Sequence, residues 1–161
     1  MRYVDLAYVQ DNEGVFDLVI DEANADFETT DGLESAIVVS LFSDRRAYRD
    51  EVGDPMKRRG WIGDLVSEVP GDLHGSGVWL YEQSRLTQEV ATGIRQEAEQ
   101  SLEWMIQEGL VLSVSAAVAS DPVKRRLNLV ITTSSPTGGT SVRAYELANA
   151  TRNGTLARLG L

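Results

Sequence analysis

Hydrophobic and polar positions alternate in two short runs near the N-terminus. The runs are residues 3–9, "YVDLAYV", and residues 15–20, "VFDLVI", and the "DNEG" between them is rich in turn-forming residues. β-Branched and aromatic residues on both sides of a turn predict a β-hairpin. The acidic stretch "DEANADFETT" that follows is predicted to be a linker.

After this stretch the hydrophobic spacing changes to the period of an α-helix. Asp31 is followed three residues later by Glu34, an Asp variant of the capping box, so a helix is predicted to begin at about Gly32. One stripe at 3.6-residue spacing contains Leu33, Ala36, Ile37, Ser40 and Leu41. Off this stripe, the second half of the helix adds the apolar residues Val38, Val39 and Phe42. A helix that is apolar nearly all round is enclosed, either in a core or between subunits.

A cluster of basic residues follows this helix. Arg45, Arg46 and Arg49 are predicted to stabilise its C-terminal end, because cations interact favourably with the helix dipole there. The alternative is a role in binding, since arginine beside tryptophan is typical of interface hot spots. Three further residues of this type lie close by in the sequence: Arg58, Arg59 and Trp61.

Residues 53–77 are predicted to form a long loop, because glycine and proline interrupt them repeatedly. A loop of this length in a small domain is either functional or disordered. Trp61 argues against disorder, since so large an aromatic side chain requires a pocket. A short helix fits "WIGDLVSEV", and "GVWLYEQSR" is also predicted to be helical.

The longest predicted helix spans residues 88–107, with Thr87 as its N-cap and Gly109 as its left-handed stop. Its polar positions, including Glu97 and Glu99, are predicted to face mostly outward, and Trp104 lies off the apolar stripe. We expect Trp104 at the edge of the core or in contact with a partner. The stripe itself consists of Val90, Ala91, Ile94, Ala98, Leu102, Met105 and Ile106.

Two runs with period-two alternation, "LVLSVSAAVA" and "RRLNLVITT", predict a second antiparallel pair around "SDPVK". "SSPTGGTS" has the composition of a flexible linker, and residues 142–147 form a possible last strand. The order β-β-α-loop-α-α-β-β indicates an α+β fold with an antiparallel sheet packed on one face by helices. We expect one domain over residues 1–134 and a tail over residues 135–161.

The composition narrows the function. A chain of 161 residues without cysteine and without a signal peptide or membrane-spanning run predicts a soluble protein kept in the cytosol of its producer. A net charge of −10 argues against nucleic acid as a partner. Residues 1–55 carry the acidic excess, whereas residues 122–161 are basic. This polarity suits either head-to-tail assembly or ordinary solvated faces.

Candidate catalytic chemistry is sparse. His74 is the single histidine and lies in the loop "GDLHGSG", so histidine-based metal clusters and catalytic triads have one possible base. No phosphate-binding loop is present. Carboxylates are plentiful, so a glycosidase is not excluded, but Glu34 and Asp44 serve equally well as a helix cap and a helix-end residue. We therefore predict a protein that is not an enzyme and that binds no cofactor and no metal.

Four segments, in this order and spacing, resemble the Mu-like phage baseplate protein family. They are "TTDGLESAIVVSLFSDRRA", "RRGWIGD", "GSGVWLYEQSRLT" and "AEQSLEWMIQEGLVLSV", and the resemblance covers about residues 15–133. This family is part of a wider group that includes the small wedge subunit of T-even contractile-tail baseplates. The resemblance implies a non-catalytic α+β subunit in the inner baseplate of a contractile tail.

The same resemblance implies a set of partners and an assembly mode. The subunit would pack against larger wedge proteins around the tail tube or hub, in several copies in a ring, and provide a platform for the tail sheath. Its location would be the virion tail, and the host cytoplasm during assembly, with no membrane partner. In this group an extended terminal segment adds to a neighbour's sheet. Here that implicates the N-terminal hairpin and residues 142–147, which include the interface residues Val142 and Tyr145.

The chain departs from this wider group at one position. The T-even subunit has a Glu-Pro-Arg signature at the end of its long helix, where it meets the helical core bundle of the wedge. This chain reads "EWMIQEG" there, with Glu103 but without the proline and arginine. Arg45 and Arg46 are the candidates for an equivalent contact. Two alternatives remain open from the sequence: a cytosolic adaptor that binds one partner, and a carboxylate-dependent peptidoglycan hydrolase.

Overall fold

A computed structural model of the chain describes most of the sequence. The described residues are 4–10, 16–27, 29–31, 33–66, 73–81, 84, 87–121, 126–150 and 156–158. Several sequence predictions fall outside them, including the "DNEG" turn, the helix start at Gly32, the end of "WIGDLVSEV" and most of "SDPVK". They stay predictions.

The described elements are ten β-strands, three α-helices and three short 3₁₀ helices. The strands are β1 (Val4–Leu6), β2 (Tyr8–Gln10), β3 (Phe16–Leu18), β4 (Ile20–Asp21), β5 (Asp26–Phe27), β6 (Thr29–Asp31), β7 (Ser113–Asp121), β8 (Arg126–Ser134), β9 (Thr140–Ala150) and β10 (Leu156–Arg158). The α-helices are α1 (Glu34–Phe42), α2 (Gln88–Ser101) and α3 (Glu103–Gln107). The 3₁₀ helices are Pro55–Lys57, Ile62–Leu65 and Val78–Tyr81.

The main sheet has the order β10-β9-β8-β7 with every pair antiparallel. Successive residues of a strand point to opposite faces, and one face of this sheet is buried against α1, α2 and α3. That face contributes Ala116, Leu127, Leu129, Ile131, Tyr145 and Leu147 to the core. The predicted α+β fold, with helices on one face of an antiparallel sheet, is confirmed.

The helices fill the core from the other side. The α1 side chains Ile37 and Leu41 and the α2 side chains Ile94 and Ala98 are each at most 2% exposed. Leu102 and Met105, at the junction of α2 and α3, are fully buried. The sequence predicts that the first helix is enclosed, and the structure shows that this chain itself buries most sides of α1.

The N-terminal region contains more strands than the sequence predicts. The hairpin is confirmed as β2–β3, with Tyr8 opposite Leu18, but β1 pairs with β6 rather than extending the hairpin. The acidic stretch predicted as a linker instead contains β4, β5 and β6. Its turn is built by Asp21, whose carboxylate accepts hydrogen bonds from the Asn24 side chain and the Ala23 N–H, which lowers the pKa of Asp21.

Helix α1 ends before the arginines predicted to close it, and its first turn is bonded to a residue far away in the sequence. The helix begins at Glu34, and the cap comes from Asp5, whose carboxylate accepts hydrogen bonds from the N–H (2.7 Å) and the hydroxyl of Ser35. Asp31 lies in β6. The helix ends at Phe42 with no basic residue in its last turn, so Arg45, Arg46 and Arg49 do not close it.

The helix predicted over residues 88–107 is divided at Leu102 into α2 and α3. Its N-cap is confirmed, because the Thr87 hydroxyl accepts from the Val90 N–H at 3.3 Å. The left-handed stop at Gly109 is also confirmed, with φ of 70°. Both features depend on residues within one turn of the helix end, which is why the sequence reveals them.

The stretch "SSPTGGTS" is a tight hairpin turn and not the flexible linker that its composition predicts. The Ser135 N–H donates to Gly139 O at 3.0 Å, and the Gly138 N–H donates to Ser135 O at 3.1 Å. The strand predicted over residues 142–147 is longer and pairs with β8 from Thr140 to Asn149. The expected division at residue 134 therefore falls at one end of a β-hairpin.

Candidate protein-binding site

A buried arginine joins the segment after α1 to helix α2. The guanidinium of Arg45 donates to Glu51 through Nη1 (2.9 Å) and Nη2 (2.7 Å), and to Glu97 through Nε (3.2 Å) and Nη2 (3.1 Å). The Arg45 side chain is 8% exposed and that of Glu97 is 16% exposed. Because two carboxylates stabilise one cation, the pKa of Arg45 is raised, and hydrogen bonds from Arg45 lower the pKa of Glu51.

The same cluster also positions the segment before α2. The Glu97 carboxylate also accepts a hydrogen bond from the backbone N–H of Gly77 at 3.0 Å. The Trp79 indole N–H donates to the Arg45 carbonyl at 2.9 Å. Residue 44 forms an isolated parallel bridge with Ser76, supported by the Arg45 N–H to Ser76 O bond of 3.0 Å. Glu97 was predicted to face outward, and these contacts show that prediction to be wrong.

The other predicted interface arginines differ in how far they are held by this chain. Arg46 donates to the carbonyl of residue 59, and Arg58 donates through Nε to the Val52 carbonyl at 2.8 Å. Arg59 pairs with Asp44 at 3.0 Å and lies over the Trp79 ring at 4.6 Å. Arg49 is exposed. These bonds explain how residues 44–66, poor in regular structure, acquire a defined path.

Next to this cluster lies an open groove of about 1010 Å³ between α1, the loop segments and the α2–α3 region. Three of the predicted interface residues line it: the buried Arg45, and Trp61 and Trp104, which are 57% and 40% exposed. The exposed Val39 and Tyr48 add further apolar surface. Large exposed aromatic side chains that meet in one concave surface are typical of binding sites.

Both tryptophans are held in place by this chain. The Trp104 indole N–H donates to the Ser40 hydroxyl at 3.1 Å. The Trp61 ring lies 5.3 Å from the His74 ring and passes so close to Gly63 that a Cβ there would stand 2.0 Å from it. A side chain at residue 63 would therefore displace the Trp61 ring from this position.

The structure places the remaining predicted interface residues away from the groove. Val142 is 64% exposed and lies on the sheet face opposite the core, since its neighbour Arg143 faces Glu34. Tyr145 is buried, donates to Glu34 at 3.1 Å and packs against Phe42, and burial raises its pKa. Sequence reasoning missed Glu51 and Asp64, which lie close in sequence to Arg45 and Trp61, and Glu97, which the fold brings to Arg45 from 52 positions away.

The described residues offer little for catalysis. They contain no group of three His, Asp or Glu side chains arranged to hold a metal ion, and His74 is exposed beside Trp61. No α-helix in the described ranges is long and apolar enough to cross a membrane. The arrangement of this surface suits the binding of another macromolecule.

Comparison with known proteins finds similar sequences among phage proteins. The family model described as phage protein GP46 matches residues 33–140, which include the groove. The chain is 35% identical to baseplate protein gp46 of Escherichia phage Mu over 113 residues, covering 69% of this chain and 74% of the relative. It is 31% identical to Mu-like prophage FluMu protein gp46 of Haemophilus influenzae over 115 residues, covering 71% and 77%.

Proposed function

Because this chain belongs to the phage protein GP46 family, we propose that it is a non-catalytic structural subunit of a phage baseplate. The observation that carries the proposal is the 35% identity to the phage Mu baseplate protein across most of both chains. The matched region holds all three α-helices, the groove and two full strands of the main sheet. The described residues support binding more than catalysis, since their prominent surface feature is a groove with preplaced tryptophans.

The finer part of the proposal concerns position in the tail. The subunit lies in the inner wedge of a contractile-tail baseplate, in several copies around the tail tube, and packs on larger wedge proteins while providing a platform for the sheath. It is made in the host cytoplasm and ends in the virion. Support comes from its resemblance to the wedge subunit group and from exposed side chains on two separate surfaces, Trp61 in the loop and Val142 on the sheet.

The interface residues of the proposal are those predicted from the sequence, in two roles. Residues that reach the surface contact neighbours directly: Arg46, Arg49, Arg58, Arg59, Trp61, Trp104 and Val142. Arg45 and Tyr145 are buried, so they act by holding the contacting elements in place. Strand addition by a neighbour is proposed as a further contact at the edge strands β7 and β10, because β9 is paired on both sides within the sheet and backbone hydrogen bonds at a sheet edge provide affinity.

The test is the protein content of purified tails. Tails are isolated from cells in which the gene is deleted and from cells in which it is supplied in trans, then examined by mass spectrometry and electron microscopy. We expect the chain in purified tails, with density at the baseplate, and incomplete baseplates without it. Intact tails from the deletion strain, or a chain found only in the soluble cell fraction, would contradict the proposal and favour a cytosolic adaptor.

A matched pair of variants tests the loop surface. Trp61 is 57% exposed and lines the groove, whereas Met56, at 92% exposed, lies in the same loop outside the groove lining. Trp61→Ala should keep its circular dichroism spectrum but enter tails poorly, while Met56→Ala should enter them normally. Equal incorporation of both variants would remove Trp61 from the interface.

A further inference from the structure

The groove beside Arg45 combines apolar and acidic character in a way that identifies a class of partner. Its apolar contribution comes from Trp61, Trp104, Tyr48 and Val39, each at least 40% exposed. Aromatic side chains of this size provide large contact energies when a partner covers them. The groove therefore fits a partner segment that presents an apolar side.

Preorganisation strengthens this argument. The indole N–H of Trp104 is already satisfied by Ser40, and the Trp61 ring is fixed between Gly63 and His74. The Tyr48 ring lies 4.9 Å from the guanidinium of Arg45, which is itself held by two carboxylates. Aromatic groups that are ordered before binding lose little conformational entropy when a partner arrives.

The charges around the groove are strongly one-sided. Its described lining contains four carboxylates, Asp64, Glu97, Glu103 and Glu108, and a single Lys or Arg side chain, that of Arg45. Arg45 is fully engaged with Glu51 and Glu97. The acidic side chains at Glu103 and Glu108 are exposed. The three lining carboxylates that are not bonded to Arg45, Asp64, Glu103 and Glu108, therefore favour a cationic group over a phosphate in the groove.

Asp64 carries an unsatisfied acceptor at this surface. Its Oδ1 accepts from the His74 N–H at 3.1 Å, whereas its Oδ2 is buried without a hydrogen-bond partner in the part of the chain that is described. A buried carboxylate oxygen without a donor is costly. A lysine or arginine side chain of a partner, placed beside this carboxylate, would supply a compensating charge.

Building on the proposed baseplate function, we infer that this groove binds a basic amphipathic segment of another baseplate protein. The apolar side of the segment covers Trp61 and Trp104, and one of its lysine or arginine side chains bonds to Asp64. A second copy of this chain carries a net charge of −10, which opposes its approach as a whole, and its basic residues 122–161 make self-association an outcome to be tested. Nucleic acid is disfavoured by the same carboxylates.

The experiment titrates the full chain with synthetic peptides of about 18 residues, or five helical turns. One peptide has leucine and tryptophan on its apolar face and lysine and arginine on its polar face. The matched peptide keeps the apolar face and has glutamate on the polar face. Binding is followed by fluorescence anisotropy of a label on the peptide, at low and high salt. We expect the affinity for the cationic peptide to be at least about ten times that for the acidic one, and to fall clearly at high salt.

Variants separate the groove from the overall negative charge. Asp64→Asn should lower the affinity for the cationic peptide by about tenfold, and Trp104→Ala should lower it by about thirtyfold. Asp26→Asn removes one charge from the exposed Asp26 in β5, outside the groove lining, and should leave the affinity nearly unchanged. Circular dichroism verifies that each variant is folded. Equal effects of Asp64→Asn and Asp26→Asn, or equal binding of both peptides, would overturn the inference.

Incorporation into tails distinguishes failure of this inference from failure of the baseplate function. If the wild-type chain enters tails and Asp64→Asn enters them equally well, the groove inference is overturned while the baseplate function stands. If the wild-type chain is absent from tails, the baseplate function itself fails, whatever the peptides do. Self-association of the wild-type chain in analytical ultracentrifugation, abolished by Trp104→Ala, would assign the groove to a second copy and overturn the inference.

Discussion

Nε of Arg45 donates to Oε2 of Glu97 at 3.2 Å, joining two residues that lie 52 positions apart in the chain. Glu97 belongs to α2, and Arg45 follows α1, so this contact fixes the loop against the helical layer. The groove lies directly on this junction and includes both residues in its lining. The shape of the candidate binding site therefore depends on a buried ion pair that takes no direct part in the proposed binding.

Removal of Arg45 should destabilise the protein strongly. Arg45→Ala leaves Glu51 and Glu97 facing each other without a cation, and breaking a buried pair from one side costs about 3–5 kcal/mol of unfolding free energy. Arg49→Ala is the matched control, since Arg49 is exposed and its loss should change stability by about 0.5 kcal/mol or less. Urea unfolding followed by circular dichroism measures both. Similar stabilities for the two variants would show that the pair contributes little.

The same cluster predicts a loss of stability in acid. The pKa of Glu51 is lowered in the folded protein by hydrogen bonds from Arg45, relative to its ordinary value of 4.5. A carboxyl with a lowered folded pKa contributes stability above its unfolded pKa, and that contribution is lost as the pH falls through the folded pKa. Unfolding free energies measured from pH 7 downward should therefore decline below about pH 4.5.

Substitution of Glu51 identifies the source of that decline. Glu51→Gln should be less stable than the wild type at pH 7, and the difference between the two should shrink as the pH falls below 4.5. Glu22→Gln, at an exposed position, should follow the wild-type curve throughout. A constant difference between Glu51→Gln and the wild type at all pH values would exclude Glu51 as the titrating group.

Two substitutions test whether Asp5 or Asp31 caps helix α1. Asp5→Ala removes the acceptor of the Ser35 N–H and should lower the unfolding free energy by about 1 kcal/mol, as for other N-cap losses. The capping box predicted from the sequence would instead give the larger loss in Asp31→Ala. Thermal unfolding of both variants decides between them. A larger loss for Asp31→Ala would restore the capping box predicted from the sequence.

The parts of the fold that the sequence predicts correctly depend on local patterns. Thr87 caps α2 through Val90, three residues away, and Gly109 ends α3 through its own left-handed backbone. The period-two alternation in β7 and β8 is equally local, because in each strand the residues of one face are more buried than those of the other. In these cases the residues that form the element also carry its signal.

The sequence predictions that are wrong concern residues whose partners are distant in the chain, or segments whose composition fits two structures. Asp5 caps a helix 30 positions away, and Glu97 lies on the polar side of α2 by periodicity but is covered by the loop that Arg45 anchors. "SSPTGGTS" has the composition both of a linker and of a hairpin turn, and only the pairing of β8 with β9 distinguishes the two. The groove could be anticipated from the sequence through Trp61 and Trp104 alone.

Two glycines in the loop provide a final test of how its path is fixed. Gly75 has a φ of 95°, and a Cβ at this position would stand 2.3 Å from the carbonyl oxygen of Ser43, next to the bridge between Asp44 and Ser76. Gly53 has open space around it and needs no left-handed backbone. Gly75→Ala should therefore destabilise the protein by about 2 kcal/mol or more, because both the backbone conformation and the close approach exclude a side chain. Gly53→Ala should be neutral or stabilise by about 0.4–1 kcal/mol, since alanine restricts the unfolded chain.

Urea unfolding of both variants measures the difference, and hydrogen exchange at Arg45 and Ser76 should become faster in Gly75→Ala alone. Equal stability of the two variants would mean that the segment containing Gly75 does not need the backbone path described for it.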